Sequence, residues 1–303
     1  MVHHHANHLK TAWAFWLCEP IPMLSLLVTP EEVERGEMHP DHLKAAVEAV
    51  RADGFVILQN VVDPAHLDIL RERMQEDVEA LIARDDPPYN WNTGNLQQEP
   101  PPFPPYLFRD ILLNDMAIAV TQAILGPGLK NSIYSGNTSM PSINRQPVHA
   151  SGHLWPNLAV AHPPYSLVIN IPAMAMSPEN GSTEIWPGSH LDTTTPLFDD
   201  IKIPEAKLAQ RRETAPPIQP IVPLGSLIIR DLRLWHAGMP NSTDRPRPMI
   251  LMVHSCSWWP TSSLTFPKGT EAFFADSPLR THATFTDEPI DYIRQPQAYE
   301  YTR

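Results

Sequence analysis

Several things are scarce in this 303-residue sequence, and each scarcity excludes a class of protein. Two cysteines, Cys18 and Cys256, cannot build a disulfide framework, so a reducing, cytoplasmic setting is the expectation. Basic residues are few: 22 Lys and Arg stand against 34 Asp and Glu, a formal net charge of −12. Nucleic-acid binding needs clustered Lys and Arg to displace phosphate counterions, and no basic run exists here. Long apolar stretches are missing too. Residues 12–18 are cut by Glu19-Pro20 and the run resumes only over 22–28, short of the ~20 residues that cross a bilayer. A secretory signal would open on basic charge, yet His3, His4 and His5 precede a single Lys10. Neither membrane nor nucleic acid is expected as a partner. Residues 1–28 read as an N-terminal extension of uncertain structure, and 29–303 as a single domain.

What abounds is proline. There are 35 prolines to 12 glycines, about 12% of the chain against an ordinary ~5%. Interior proline breaks helices, which excludes a helical bundle or long coiled coil. With 42% hydrophobic residues, including 8 Trp, 9 Phe and 7 Tyr, the chain still has material for a large core. Short strands and ordered loops satisfy both facts.

Local patterns agree. Asp41 is placed to cap a helix carrying Leu43, Ala46, Val47 and Val50 on one stripe, ended by Gly54. A strand is expected over 55–62. Asp63-Pro64 then starts a helix with Leu67, Leu70, Met74, Val78 and Leu81 inward, reaching about Ala83. Residues 87–106 have no periodicity, but Tyr89, Trp91, Phe103 and Tyr106 predict an ordered loop against a pocket. A further helix is predicted over 115–125, stopped by Gly126-Pro127. Strands follow over 166–171, 181–186, 226–230 and 248–255. Helices first and short strands after read as α+β with a sandwich or jelly roll at the centre. No internal repeat is present.

Three clusters hold the chemistry-bearing residues: QPVHASGH from Gln146, ENGSTEIWPGSH from Glu179, and RDLRLWHAGMPN from Arg230 with RPRP behind it. His236 follows His149 by 87 positions and Arg247 follows by another 11. A jelly roll can bring two such imidazoles to one metal and an arginine to an acidic cosubstrate. Elsewhere a structural role is the expectation. His162, His190, His254 and His282 read as loop or strand-end residues, Asp231 as a partner of Arg233 or Arg245, and Trp155 and Trp186 as wall or core. Cys256 reads as inert core, and the glycosylation sequon at Asn241 carries no meaning in a cytosolic chain.

Over residues 29–255 the sequence resembles the phytanoyl-CoA dioxygenase family of iron(II) and 2-oxoglutarate-dependent oxygenases, nearest to its fungal secondary-metabolism branch. The stretches that carry the resemblance are ADGFVILQNVVDPAHLDILRERM, NTGNLQQEPPP, QPVH, SPENGSTEIWPGSH and RDLRLWHAGMPN with RPRPMI. It implies a double-stranded β-helix of the cupin kind with N-terminal helices outside. It also implies a homodimer and a small apolar natural product, a terpenoid or polyketide, as substrate beside O2. By position, His149 and His236 match the iron ligands and Arg247 the arginine that pairs with the far carboxylate of 2-oxoglutarate. Gln146 and Thr183 match cosubstrate contacts. The departure is Ser151, which stands where the family's His-x-Asp supplies a carboxylate. Four readings follow: a pseudo-enzyme or partner subunit of an active relative; iron held with help from water or His153; a halogenase with halide in the vacancy; or a non-redox isomerase or cyclase. Retention of both histidines and the arginine favours an enzyme that binds metal and cosubstrate, with hydroxylation, desaturation or rearrangement as outcome.

Overall fold

The computed structural model describes residues 25–152, 159–195 and 201–295. In chain order the elements open with β1 (Ser25–Leu27), α1 (Pro30–Arg35), α2 (Pro40–Asp53), β2 (Phe55–Gln59), α3 (Pro64–Ile82) and β3 (Asn95–Gln97). Next come α4 (Arg109–Leu112), α5 (Asp115–Leu125), β4 (Lys130–Ser139), β5 (Ser166–Pro172), β6 (Glu184–Ile185) and α6 (Glu205–Arg212). The last are β7 (Leu227–Asp231), β8 (His236–Ala237), β9 (Arg247–Ser255), β10 (Leu264–Pro267), β11 (Arg280–Thr281) and β12 (Ala283–Thr286).

One eight-stranded sheet organises the molecule, in the order β1-β2-β7-β5-β9-β4-β11 with β3 also on β4. Its inner pairs are antiparallel, while β1 on β2 and β11 on β4 run parallel. A second, two-stranded sheet pairs β6 with β8, and a third pairs β10 with β12. The fold is mixed α and β with a large, mostly antiparallel sheet. Among the described residues no helix is long and apolar enough to cross a membrane.

Alternation along the central strands separates two faces. Leu167, Ile169 and Ile171 of β5, Leu227 and Ile229 of β7, and Ile250 and Met252 of β9 join α2, α3 and α5 in the main hydrophobic core. The residues between them, Ser166, Val168, Asn170, Arg230, Met249, Leu251 and Val253, face a cavity instead. The helices form because their stripes have this core to meet. Thr29 and Glu32 make a reciprocal capping box on α1, and Asp63 caps α3 with Pro64 behind it. Asp41 does not cap α2. His39 does, its Nδ1 accepting from Asp41 N, because Pro40 at the first helical position moves the start back. Gly54 ends that helix at φ 86°, where a Cβ would sit 2.6 Å from both His190 and Leu234, so only glycine turns the chain directly into β2.

The strand expected over 55–62 stops at Gln59: Asn60 turns at φ 60°, and Val61 and Val62 donate to Gly225 O. The strand expected over 181–186 shortens to Glu184–Ile185, since 180–182 form the turn that holds an arginine (below). The aromatic loop divides. Trp91 lines the cavity, but Tyr89 packs with Val78, Leu81 and Leu96, and Phe103 packs edge-on against Tyr106 and Tyr292. Those rings pack on the apolar side of α3 and on the C-terminal segment instead.

Candidate functional site

The cavity between the large sheet and the β6–β8 pair measures about 610 Å³, within the range of small-molecule sites. His149, Ser151, Gln146, Thr183, His236 and Arg247 all line it. The two histidines are brought together by the backbone. His149 N donates to His236 O and His236 N to His149 O, both at 2.9 Å, a narrow antiparallel pair that leaves the rings 4.4 Å apart.

The tautomers are set by short contacts to carbonyls. His149 Nδ1 lies 2.8 Å from Pro147 O, and His236 Nδ1 lies 2.7 Å from Leu234 O. A carbonyl only accepts, so both δ nitrogens carry the proton and each Nε2 presents a lone pair rather than an N–H. Burial takes the His149 pKa down to about 4, opposed by the Pro147 carbonyl and aided by the Arg230 charge. The same burial, with Arg230 and His149 beside it, takes His236 well below the ordinary imidazole value. Both rings are neutral near pH 7, the form that ligates metal or accepts a proton.

Ser151 Oγ lies 3.2 Å from His236 Nε2 and donates to it. A hydroxyl thus stands where the resemblance leads one to expect a carboxylate, and it engages the His236 Nε2 lone pair. Among the described residues no group of three His, Cys, Asp or Glu side chains is arranged to hold a metal ion. His153 and Trp155 lie outside the described residues.

Arg247 is 3% exposed, and burial lowers its pKa to about 10. Its Nε donates to Asn180 O at 2.9 Å and its Nη2 to Gly181 O at 2.7 Å. The turn that offers these carbonyls needs Gly181, at φ 77°, because a Cβ there would lie 2.8 Å from Met239 O. Among the described residues Arg247 Nη1 has no hydrogen-bond partner. In register across three strands, Arg247 pairs with Ser139 and Ser139 with Asn95, and Ser139 Oγ and Asn95 Nδ2 are likewise buried without partners. One rank of the sheet therefore presents a guanidinium, a hydroxyl and an amide with unused hydrogen-bonding capacity, all facing the cavity. That donor set fits a carboxylate. Asn95 and Ser139 escape sequence reading because only the strand register aligns them with Arg247. Gln146 is spent in part on the main chain, its Oε1 accepting from Gly238 N at 2.8 Å.

The residues expected to be structural have structural partners. Arg233 forks onto Asp231, Nε to Oδ1 at 2.8 Å and Nη2 to Oδ2 at 2.6 Å, with both side chains 2% exposed. Trp186 is core and donates to Glu184, Cys256 is buried, and the sequon residue Asn241 is buried with its amide on Ser139 O and Arg245 O. His190 Nε2 meets Arg51 O, and His254 Nδ1 lies 2.9 Å from Thr121 Oγ1.

His254 also yields a prediction. Burial lowers its pKa to about 3, against ~6.5 in an unfolded chain. Between those values the unfolded state binds the extra proton, so stability falls as pH drops below ~6.5. His254→Asn is expected to shrink the loss of unfolding free energy between pH 7 and pH 4.5 by about 2 kcal/mol, read from urea titrations at the two pH values.

Comparison with known proteins supplies the remaining context. The family model described as Phytanoyl-CoA dioxygenase (PhyH) matches residues 50–249. Dioxygenase af480 of Aspergillus fumigatus is 24% identical over 218 residues, 68% of this chain and 64% of that protein, so the match spans just under two thirds of its length. AviO1 from Streptomyces viridochromogenes Tue57 superposes with a TM-score of 0.51 at 23% identity, over 72% of this chain and 97% of that one. SnoK, a non-heme alpha ketoglutarate dependent carbocyclase from nogalamycin biosynthesis, gives 0.53 at 17% identity, over 70% and 84% of the two chains. At these identities the two solved structures speak for the fold alone.

Proposed function

The chain belongs to the phytanoyl-CoA dioxygenase (PhyH) family, and we propose that it is an iron(II)- and 2-oxoglutarate-dependent oxygenase-type enzyme of secondary metabolism. Its substrate would be a small, largely apolar natural product, a terpenoid or polyketide. The observation that carries this reading is the buried rank Arg247–Ser139–Asn95, whose unused hydrogen-bonding groups suit a carboxylate and nothing apolar. On this reading residues 29–303 are one domain, the β6–β8 pair closes a double-stranded β-helix over the large sheet, and the cytoplasmic protein works as a homodimer.

His149 and His236 would hold the iron through Nε2, with Ser151 or an external ligand in the carboxylate's place. When bound, that metal with 2-oxoglutarate supplies the oxidising chemistry of the family. The chain's own residues do the rest. Pro147 and Leu234 carbonyls keep the imidazoles in the ligating tautomer. Arg247 anchors the cosubstrate, with Thr183 and Gln146 along its flank, and Trp91, Met249, Leu251 and Val253 exclude water from the apolar part of the cavity. Hydroxylation, desaturation and rearrangement remain alternative outcomes.

Ser151 favours a second reading: a catalytically altered member, whether halogenase, non-redox isomerase or cyclase, or the partner subunit of an active relative. One experiment separates them. Anaerobic protein with Fe(II) and 2-oxoglutarate is expected to develop the weak visible band of the ternary complex and, on admitting air, to release succinate. Succinate that requires chloride would select the halogenase. No band and no succinate would sink oxygenase and halogenase together.

A further inference from the structure

Beyond Arg247, strands β5 and β9 present three ranks of paired side chains to the cavity. Asn170 lies opposite Leu251, Val168 opposite Val253, and Ser166 opposite Ser255. The first rank is four residues along β9 from Arg247 and the last is eight, so at ~3.3 Å per residue they are anchored ~13 to ~26 Å away. The carboxyl carbons of 2-oxoglutarate are four bonds apart, at most ~6 Å. A cosubstrate seated on Arg247 leaves these ranks to the substrate.

Polar groups stand at both ends of this stretch. Asn170 is 4% exposed, and its Oδ1 accepts from Arg230 Nε at 3.0 Å. A guanidinium only donates, which fixes the orientation of the amide. Its Nδ2 is then a buried donor with no partner among the described residues. Four residues along β5, ~13 Å away, the hydroxyls of Ser166 and Ser255 meet at 2.8 Å, both residues 2% exposed. Two hydroxyls bring two protons to one mutual hydrogen bond, so whichever donates, a second proton is left over. Among the described residues neither Oγ has another partner. Between the two donors lies the Val168–Val253 rank, part of an apolar patch with Leu251, Ile133 and Leu232. A guest that lies on this patch and carries an acceptor oxygen toward each end satisfies both donors. A hydrocarbon leaves both unpaired. For a largely apolar substrate those oxygens are carbonyls or hydroxyls.

We propose that this stretch of β5 and β9 is the substrate recognition surface, and that it selects an oxygenated apolar molecule, with carbonyl or hydroxyl oxygens at opposite ends of its frame, over the parent hydrocarbon. The proposal deepens the function argued above and rests on its placement of the cosubstrate at Arg247. Fluorine NMR on metal-free protein saturated with succinate tests it without turnover. The probe is a trifluoromethyl-substituted cyclohexanone, small enough for either end, and trifluoromethylcyclohexane is the hydrocarbon control. The ketone is expected to occupy both ends, each at least tenfold more tightly than the hydrocarbon binds. Asn170→Asp keeps an acceptor for Arg230 Nε but replaces the N–H donor, and should remove one ketone site. Ser166→Ala combined with Ser255→Ala should remove the other. With all three substitutions the ketone and the hydrocarbon should bind within twofold of each other. Succinate affinity should stay within twofold in every variant, which also reports an intact fold.

The proposal is overturned if the ketone does not bind or binds no more tightly than the hydrocarbon, or if either set of substitutions leaves its preference untouched. It is also overturned if Asn170→Asp weakens succinate along with the ketone, which would give that amide to the cosubstrate. Displacement of the ketone by trifluoroacetate at lower concentration would overturn it too, because these would then be anion sites. A ketone preference that depends on these residues in protein that binds no succinate would instead sink the cosubstrate reading and keep the recognition surface.

Discussion

Arg247→Met is expected to weaken 2-oxoglutarate binding about a hundredfold, read by calorimetry on metal-free protein. Truncating one member of a buried, hydrogen-bonded charge pair costs roughly 3 kcal/mol, and ~1.4 kcal/mol is a factor of ten. The effect should be large here because the flanking Ser139 and Asn95 are neutral and cannot supply the missing charge. Methionine matches the length of the arginine stem but leaves Asn180 O and Gly181 O without their donor, so the turn at 180–181 should loosen as well. A companion Arg247→Lys should recover part of the affinity and little of the turn, because an ammonium cannot reach both carbonyls and a carboxylate in one plane. Equal binding by wild type and Arg247→Met would place the cosubstrate elsewhere.

Ser151→Asp is expected to act in the opposite direction, raising divalent-metal affinity on the order of a hundredfold, measured anaerobically with Co(II) as a spectroscopic stand-in. The gain has three sources. A carboxylate is a stronger ligand for a hard or borderline cation than a neutral hydroxyl. It offsets the Arg230 charge, which now works against any cation near the histidines. It also ends the donation of Ser151 Oγ to His236 Nε2, freeing that lone pair. If affinity does not change, residue 151 is not a ligand position in this chain. If succinate release rises with affinity, the carboxylate was the only part missing. Tighter metal with no succinate would point to an altered, non-oxidative use of the cavity.

Much of the local structure was legible because it depends on neighbours in sequence. Asp63-Pro64 and the stripe from Leu67 to Leu81 specify α3 with a cap and a face, and the helix over 115–125 ends at Gly126 as its punctuation requires. The Asp231–Arg233 pair was equally local. What escaped depends on distant pairing. Residues 25–27 form a strand only because residues 57–59 lie beside them in parallel. The aromatic loop looked uniform, yet Trp91 alone of its four marked rings turns to the cavity, at φ 66°, while the others follow nearby apolar surfaces. In the candidate site, His149, His236, Arg247, Gln146 and Thr183 were singled out by resemblance, and their meeting in one cavity depends on register. Asn95, Ser139, Asn170 and Arg230 carry polar groups at alternate strand positions, a pattern indistinguishable in sequence from solvent-facing residues until the opposing sheet is known.

The reciprocal backbone bonds between His149 and His236 have a consequence for how the cavity responds to a guest. Each imidazole is fixed twice, through its own main chain in the reciprocal bridge and through its δ nitrogen on a carbonyl two residues back. Little rotamer freedom is left to lose when a ligand arrives, so the entropy of ordering these rings was surrendered during folding rather than at binding. The site is a rigid mould: it discriminates guests by shape and charge and does not adjust its histidines to them.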